Sequence, residues 1–89
     1  FYAEAAREYR GYLDGQSQGP GAATARYRLG EAEYALSNYE AALNAFALVA
    51  DPAAAGPSRK AALREGELLY RLGRHGEAAA ALDKVAAHD

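Results

Sequence analysis

Apolar and polar positions along this chain fall into blocks with helical spacing. Tyr27, Glu31 and Tyr34 stand at i, i+4 and i+7, and Leu63, Glu67 and Tyr70 repeat that spacing, so each set forms one stripe of a helix. Residues 15–21 hold three Gly and one Pro, residues 51–57 hold two Pro and a Gly, and Ser37-Asn38 and Gly73 mark tight stops between blocks. The pattern predicts five helices, near residues 1–13, 22–36, 39–50, 58–72 and 75–87. Pro57 or Ser58 opens the fourth, and Gly73 suits the left-handed position that ends it.

Sliding the chain on itself by 36 residues brings Gly30 onto Gly66, Tyr34 onto Tyr70, Leu36 onto Leu72, Ala42 onto Ala78, Phe46 onto Leu82 and Val49 onto Val85. A slide of 37 carries Tyr2, Ala5, Tyr9 and Tyr12 onto Tyr39, Ala42, Phe46 and Val49. The chain is therefore an internal repeat that begins at the second helix of an earlier copy. Periods of this size belong to stacked helix pairs, none of which buries its own apolar face without a neighbour.

Composition supports helices and limits the core. Of the 51% hydrophobic residues in 89, most are the 24 Ala, against 10 Leu, 2 Val and no Ile. With Thr24 the only threonine, the β-branched residues that fit a pleated, half-buried surface are nearly missing, while Ala is the best helix former, which excludes a β-rich fold. Methyl groups bury little area at about 25 cal/mol per Å², so backbones must approach closely. Gly30 facing Ala42, and Gly66 facing Ala78, is the expected means of that approach, and a piece this small is expected to be only marginally stable alone.

Leu29-Gly30 with Tyr34, then Tyr39, Ala42, Phe46, Val49 and Pro52, resembles a tetratricopeptide repeat, the two-helix unit of about 34 residues. Gly66, Tyr70, Gly73, Ala78, Leu82 and Val85 follow the same pattern. The resemblance covers nearly the whole chain and implies an all-α superhelix (solenoid) of about five antiparallel helices: residues 1–14 as the second helix of a truncated repeat, then repeats over 22–52 and 57–88. The second repeat matches less well: Glu65 stands where Leu is usual, and His75-Gly76 replaces Tyr39-Glu40, while in the first Arg26 takes an apolar position. Residues 2–9, the Gly/Pro joint, residues 25–31 and residues 38–42 are similar to bacterial cell-envelope members associated with the Tol-Pal system or outer-membrane protein assembly, which implies a periplasmic or envelope location.

Charge and chemistry narrow the function. A formal net charge of −2 leaves no basic footprint for nucleic acid or an anionic membrane, no cysteine is present for disulfides or thiolate metal sites, and no apolar run is long enough to span a bilayer. The start at Phe1-Tyr2 suggests a piece of a longer protein. Ser17, Ser37, Ser58, His75 and His88 carry no catalytic motif, and His75 and His88 are 13 residues apart, unlike a two-His helical metal pair. Residues 15–21 lack the Lys-Ser or Lys-Thr of a phosphate loop. Glu31, Glu33, Glu65 and Glu67 read as solvated faces, with Glu67 positioned to pair with Arg71. No catalytic residue, cofactor or metal is expected.

In tetratricopeptide proteins the first helices line a concave groove that holds a partner segment. The resemblance places that groove at Tyr27, Arg28, Glu31 and Tyr34, with Thr24 and Ala35 beside them, and at Lys60, Leu63, Arg64, Glu67, Tyr70 and Arg71. Tyr and Arg suit recognition, since each joins a large contact area to a polar tip. Lys60 and Arg64, with Arg28 as a third cation, resemble half of the clamp by which some co-chaperones of this class grip a terminal carboxylate, without its asparagines, so an acidic or C-terminal peptide is a better candidate than a chaperone terminus. The expected function is a scaffold for a protein or peptide partner. The rivals are a purely architectural or dimerising spacer, and an accessory repeat domain of an enzyme whose catalytic part lies elsewhere. Tyr2, Tyr9 and Tyr12, together with Leu13, form a stripe expected to be exposed or covered by a second copy.

Overall fold

A computed structural model of the protein describes residues 1–16, 18 and 21–88. Ser17, Gly19 and Pro20, in the stretch read against a phosphate loop, lie outside the described residues. Five α-helices follow one another, α1 (Tyr2–Gly15), α2 (Ala22–Ala35), α3 (Tyr39–Ala47), α4 (Pro57–Arg71) and α5 (His75–Ala86), with no strand among the described residues. No described helix is long and apolar enough to cross a membrane.

Local chemistry sets the ends. Pro57 occupies the first turn of α4, where its missing N–H would have had no helical partner. α2 and α4 close in the same way. The N–H groups of Ser37 and Asn38 donate to the carbonyls of Tyr34 and Glu33 at 2.9 Å each, and those of Gly73 and Arg74 donate to Tyr70 and Leu69 at 3.0 and 2.8 Å. This is a Schellman closure, and its left-handed residue is Ser37 (φ 63°) in one copy and Gly73 (φ 83°) in the other. The three-residue connections fold α2 back on α3 and α4 back on α5 as helical hairpins.

α3 ends at Ala47, a turn short of the expected residue 50. Pro52 disfavours helical backbone at Asp51 and has no N–H to return to Leu48. The chain turns instead: Val49 N–H donates to Phe46 O at 3.1 Å, Ala53 N–H to the Asp51 carboxylate at 3.0 Å, and Asp51 N–H to Ser58 O at 3.0 Å. Arg59 ties this connection to the end of α5, donating to Pro52 O at 3.2 Å and to Val85 O at 3.3 Å.

Packing runs from neighbour to neighbour. Each helix packs on the next, α2 also reaches α4, and no other described pair meets, giving extents of 34 × 26 × 17 Å. The central core joins Tyr27, Ala42, Leu43, Phe46, Ala61, Leu68, Leu69 and Ala78. The close approach at the two glycines differs from the expected small-on-small contact. A methyl group on Gly30 would lie 2.7 Å from the Phe46 ring, and one on Gly66 2.6 Å from the Leu82 side chain. Each glycine is a notch that admits a large side chain, and Ala42 and Ala78 are buried without being the residues that meet it. The two contacts are again 36 residues apart, so the repeat read in the sequence is also one of packing.

Glu33 corrects the expectation of solvated carboxylates. It is 4% exposed, and it accepts from Arg10 of α1 at 2.9 Å and from Asn38 at 3.3 Å. Its counterpart one period on is buried Leu69, so the position faces inward in both copies. In the first copy the chain spends an ion pair where the second has an aliphatic side chain.

Candidate protein-binding groove

The stripes of α2 and α4 meet around Tyr34. Its ring lies edge-to-face on Tyr39 of α3, with centroids 5.7 Å apart. Two guanidinium groups from α4 flank it, Arg64 at 5.2 Å and Arg71 at 5.8 Å from the ring centre. Arg71 also lies 5.0 Å over Tyr39, and its long 3.4 Å bonds run to the hydroxyls of Tyr34 and Tyr39. Such cation–ring contacts place planar, flat-stacking groups side by side on a half-exposed surface.

Charge on this face is arranged with the same period. Arg28 pairs with Glu31 at 3.0 Å and Arg64 with Glu67 at 3.3 Å, each one turn along its helix. Glu67 was expected to pair with Arg71. It pairs with Arg64 instead, because Arg71 is turned across the helix boundary onto the two tyrosines. Among the described residues neither Arg71 nor Lys60 has a carboxylate partner.

Two clefts open on either side of Tyr34. One, about 290 Å³, is lined by Tyr2, Glu31, Tyr34, Ala35, Phe46 and Arg64. The other, about 430 Å³, is lined by Tyr34, Glu67, Tyr70, Arg71 and Leu82. Six of the ten expected groove residues, Glu31, Tyr34, Arg64, Glu67, Tyr70 and Arg71, therefore share one surface. Lys60 and Leu63 line a separate hollow of about 380 Å³ with Gly56, Arg59 and Val85. Arg28 is exposed at the edge beside Tyr27.

Tyr27 is a core residue. Only 9% exposed, it stacks edge-to-face on Phe46 with centroids 5.6 Å apart. Burial raises the pKa of its phenol above 10.0, and the negative charge of neighbouring Glu31 adds to the rise. Tyr39 and Tyr2 are the groove residues that sequence reasoning passed over. A signal for Tyr39 was present: Tyr70 stacks on His75 at 4.6 Å and 28°, one period after Tyr34 on Tyr39. The replacement of Tyr39 by His75, read as a departure from the repeat, keeps a ring at that place.

The arrangement offers stacking surfaces, guanidinium donors and carboxylate acceptors in two shallow clefts. Among the described residues no three His, Cys, Asp or Glu side chains are grouped to hold a metal ion. No family model, curated protein or solved structure matches the chain.

Proposed function

We propose that the chain is a tetratricopeptide-like solenoid segment whose α2–α4 face holds an extended peptide of a partner protein. The observation that carries this reading is the convergence of Tyr34, Tyr70, Arg64 and Arg71 on one two-cleft surface, presented by helices that repeat every 36 residues. The recurring glycine notches, Schellman closures and Arg–Glu pairs support the solenoid part, since each helix pair is built by the same local rules. Extended segments suit such a face: ring stacking and guanidinium bonds hold backbone carbonyls and carboxylates without a deep cavity.

Titration of a peptide library, monitored by fluorescence anisotropy, tests the reading. Saturable binding is expected, weakened on the order of tenfold or more by Tyr34→Ala and by Arg64→Ala, as for residues central to an interface. Both side chains are partly exposed, so circular dichroism of the variants should match that of the parent. Absence of any saturable ligand, or binding indifferent to both substitutions, favours a purely architectural role.

A further inference from the structure

α1 presents an aromatic surface that the described helices leave largely uncovered: Tyr2 borders the groove cleft beside Glu31 and Tyr34, and the Tyr12 ring edge lies against Gly21. Tyr2 is 50% and Tyr12 38% exposed, and Tyr9 is half-buried. α1 packs on α2 alone, and the residue it buries there is Ala6. A mostly apolar cleft of about 490 Å³ runs beside Tyr9 and Tyr12, above Gly21 and Ala25. Aromatic surface of this extent is uncommon on a face that meets only water.

The chain itself shows what such a face packs against. At a shift of 37 residues Tyr2, Ala5, Tyr9 and Tyr12 take the places of Tyr39, Ala42, Phe46 and Val49. In α3 that face is the one whose Phe46 enters the notch at Gly30, and in α5 Leu82 enters the notch at Gly66 in the same way. Ala6 takes the place of buried Leu43, so the two helices are also alike on the adjacent side. Tyr9 is thus a knob of the same register as Phe46 and Leu82, without its hole.

We propose that Tyr2, Ala5, Tyr9 and Tyr12 form a docking site for the first helix of a further repeat of this kind, with that helix's glycine received under Tyr9. A large residue in place of the glycine would hold the backbones apart, so the partner is defined by its notch.

The test adds to the intact chain a peptide of residues 57–74, held helical by a staple on the side opposite Gly66, and follows the tyrosine ring and leucine methyl signals by NMR. Saturable one-to-one binding that shifts Tyr2, Tyr9 and Tyr12 is expected. It should weaken on the order of tenfold or more with Tyr9→Ala or Tyr2→Ala in the chain, and with Gly66→Leu in the peptide. Failure of the stapled peptide to bind, or equal binding by its Gly66→Leu form, overturns the proposal. So do shifts centred on Leu82, which mean exchange with the chain's own α4. A dimer of the chain alone in sedimentation, dissociated by Tyr2→Ala, assigns the face to a second copy and also overturns it.

Discussion

Three helical glycines meet three different surroundings, and alanine at each is expected to act with a different sign. Gly11 has open space around the site of a side chain, so Gly11→Ala should stabilise by about 0.5–1 kcal/mol through helix propensity alone. At Gly66 the new methyl meets the branch of half-buried Leu82, which can turn aside, and the gain and the clash should nearly cancel. At Gly30 it meets the ring of fully buried Phe46, which has nowhere to go, and a net loss of about 1–2 kcal/mol is expected. Urea midpoints of the three variants decide the order. Tyr27 carries a second residue-scale expectation. Its folded pKa is raised, so the neutral phenol's stabilising contribution is complete below pH 10.0 and is lost as pH rises through the folded value. Tyr27→Phe should therefore flatten the fall in stability measured above pH 10.0. The glycine positions were readable from the 36-residue shift, but the side chains that enter them were not, because spacing along one helix does not show which residue of another lies opposite. Glu33 was misread for the same reason: its partner Arg10 is 23 residues away on α1. Its alignment with Leu69 was the available sign of an inward position.

Helix ends are governed by shorter-range chemistry, and they were correspondingly easier to read. Pro57 and Gly73 announced the start and the stop of α4, and Ser37 marked the matching stop of α2. What the pattern of residues did not show is that Ser37 adopts the same left-handed backbone as Gly73. A residue with a Cβ is disfavoured in that conformation by roughly 1–2 kcal/mol. Ser37→Gly removes the strain and adds some freedom to the unfolded chain, so a net gain of about 0.5–1 kcal/mol is expected. Gly73→Ala should lose about the same amount or more. Thermal midpoints moving in opposite directions for these two substitutions, by several degrees each for a domain this small, would verify that both helices close by one device. At α3 the pattern ran too far because it registered apolar periodicity through Val49 and Ala50, and Pro52 acts backwards on the residues before it. The groove shows the same division: the stripes on α2 and α4 follow from periodicity within each helix. The turning of Arg71 onto Tyr34 and Tyr39 depends on how the helices stack.

At the scale of the molecule, stability should vary along the stack because contacts join neighbours only. α2 and α4 bury residues along their whole length, from Ala22 to Glu33 and from Ala61 to Leu69. α1 buries Ala6 alone, and α5 only Ala78 and Val85. Each end helix touches one neighbour, whereas α2 and α4 each touch three others, including each other. In such a chain the ends can open without disturbing the middle, since opening one end exposes a single interface. The Arg10–Glu33 pair partly offsets this for α1, but Arg10 is more than half exposed, so its attraction for Glu33 is weakened by solvent. Amide hydrogen exchange should therefore show the strongest protection in α2 and α4, with α1 and α5 exchanging faster through local opening. Substitution of Arg10 by Ala should speed exchange in α1 and leave α4 and α5 unchanged. Equal protection from α1 to α5, falling together under denaturant, would instead require a single cooperative unit and would contradict nearest-neighbour stacking as the source of stability.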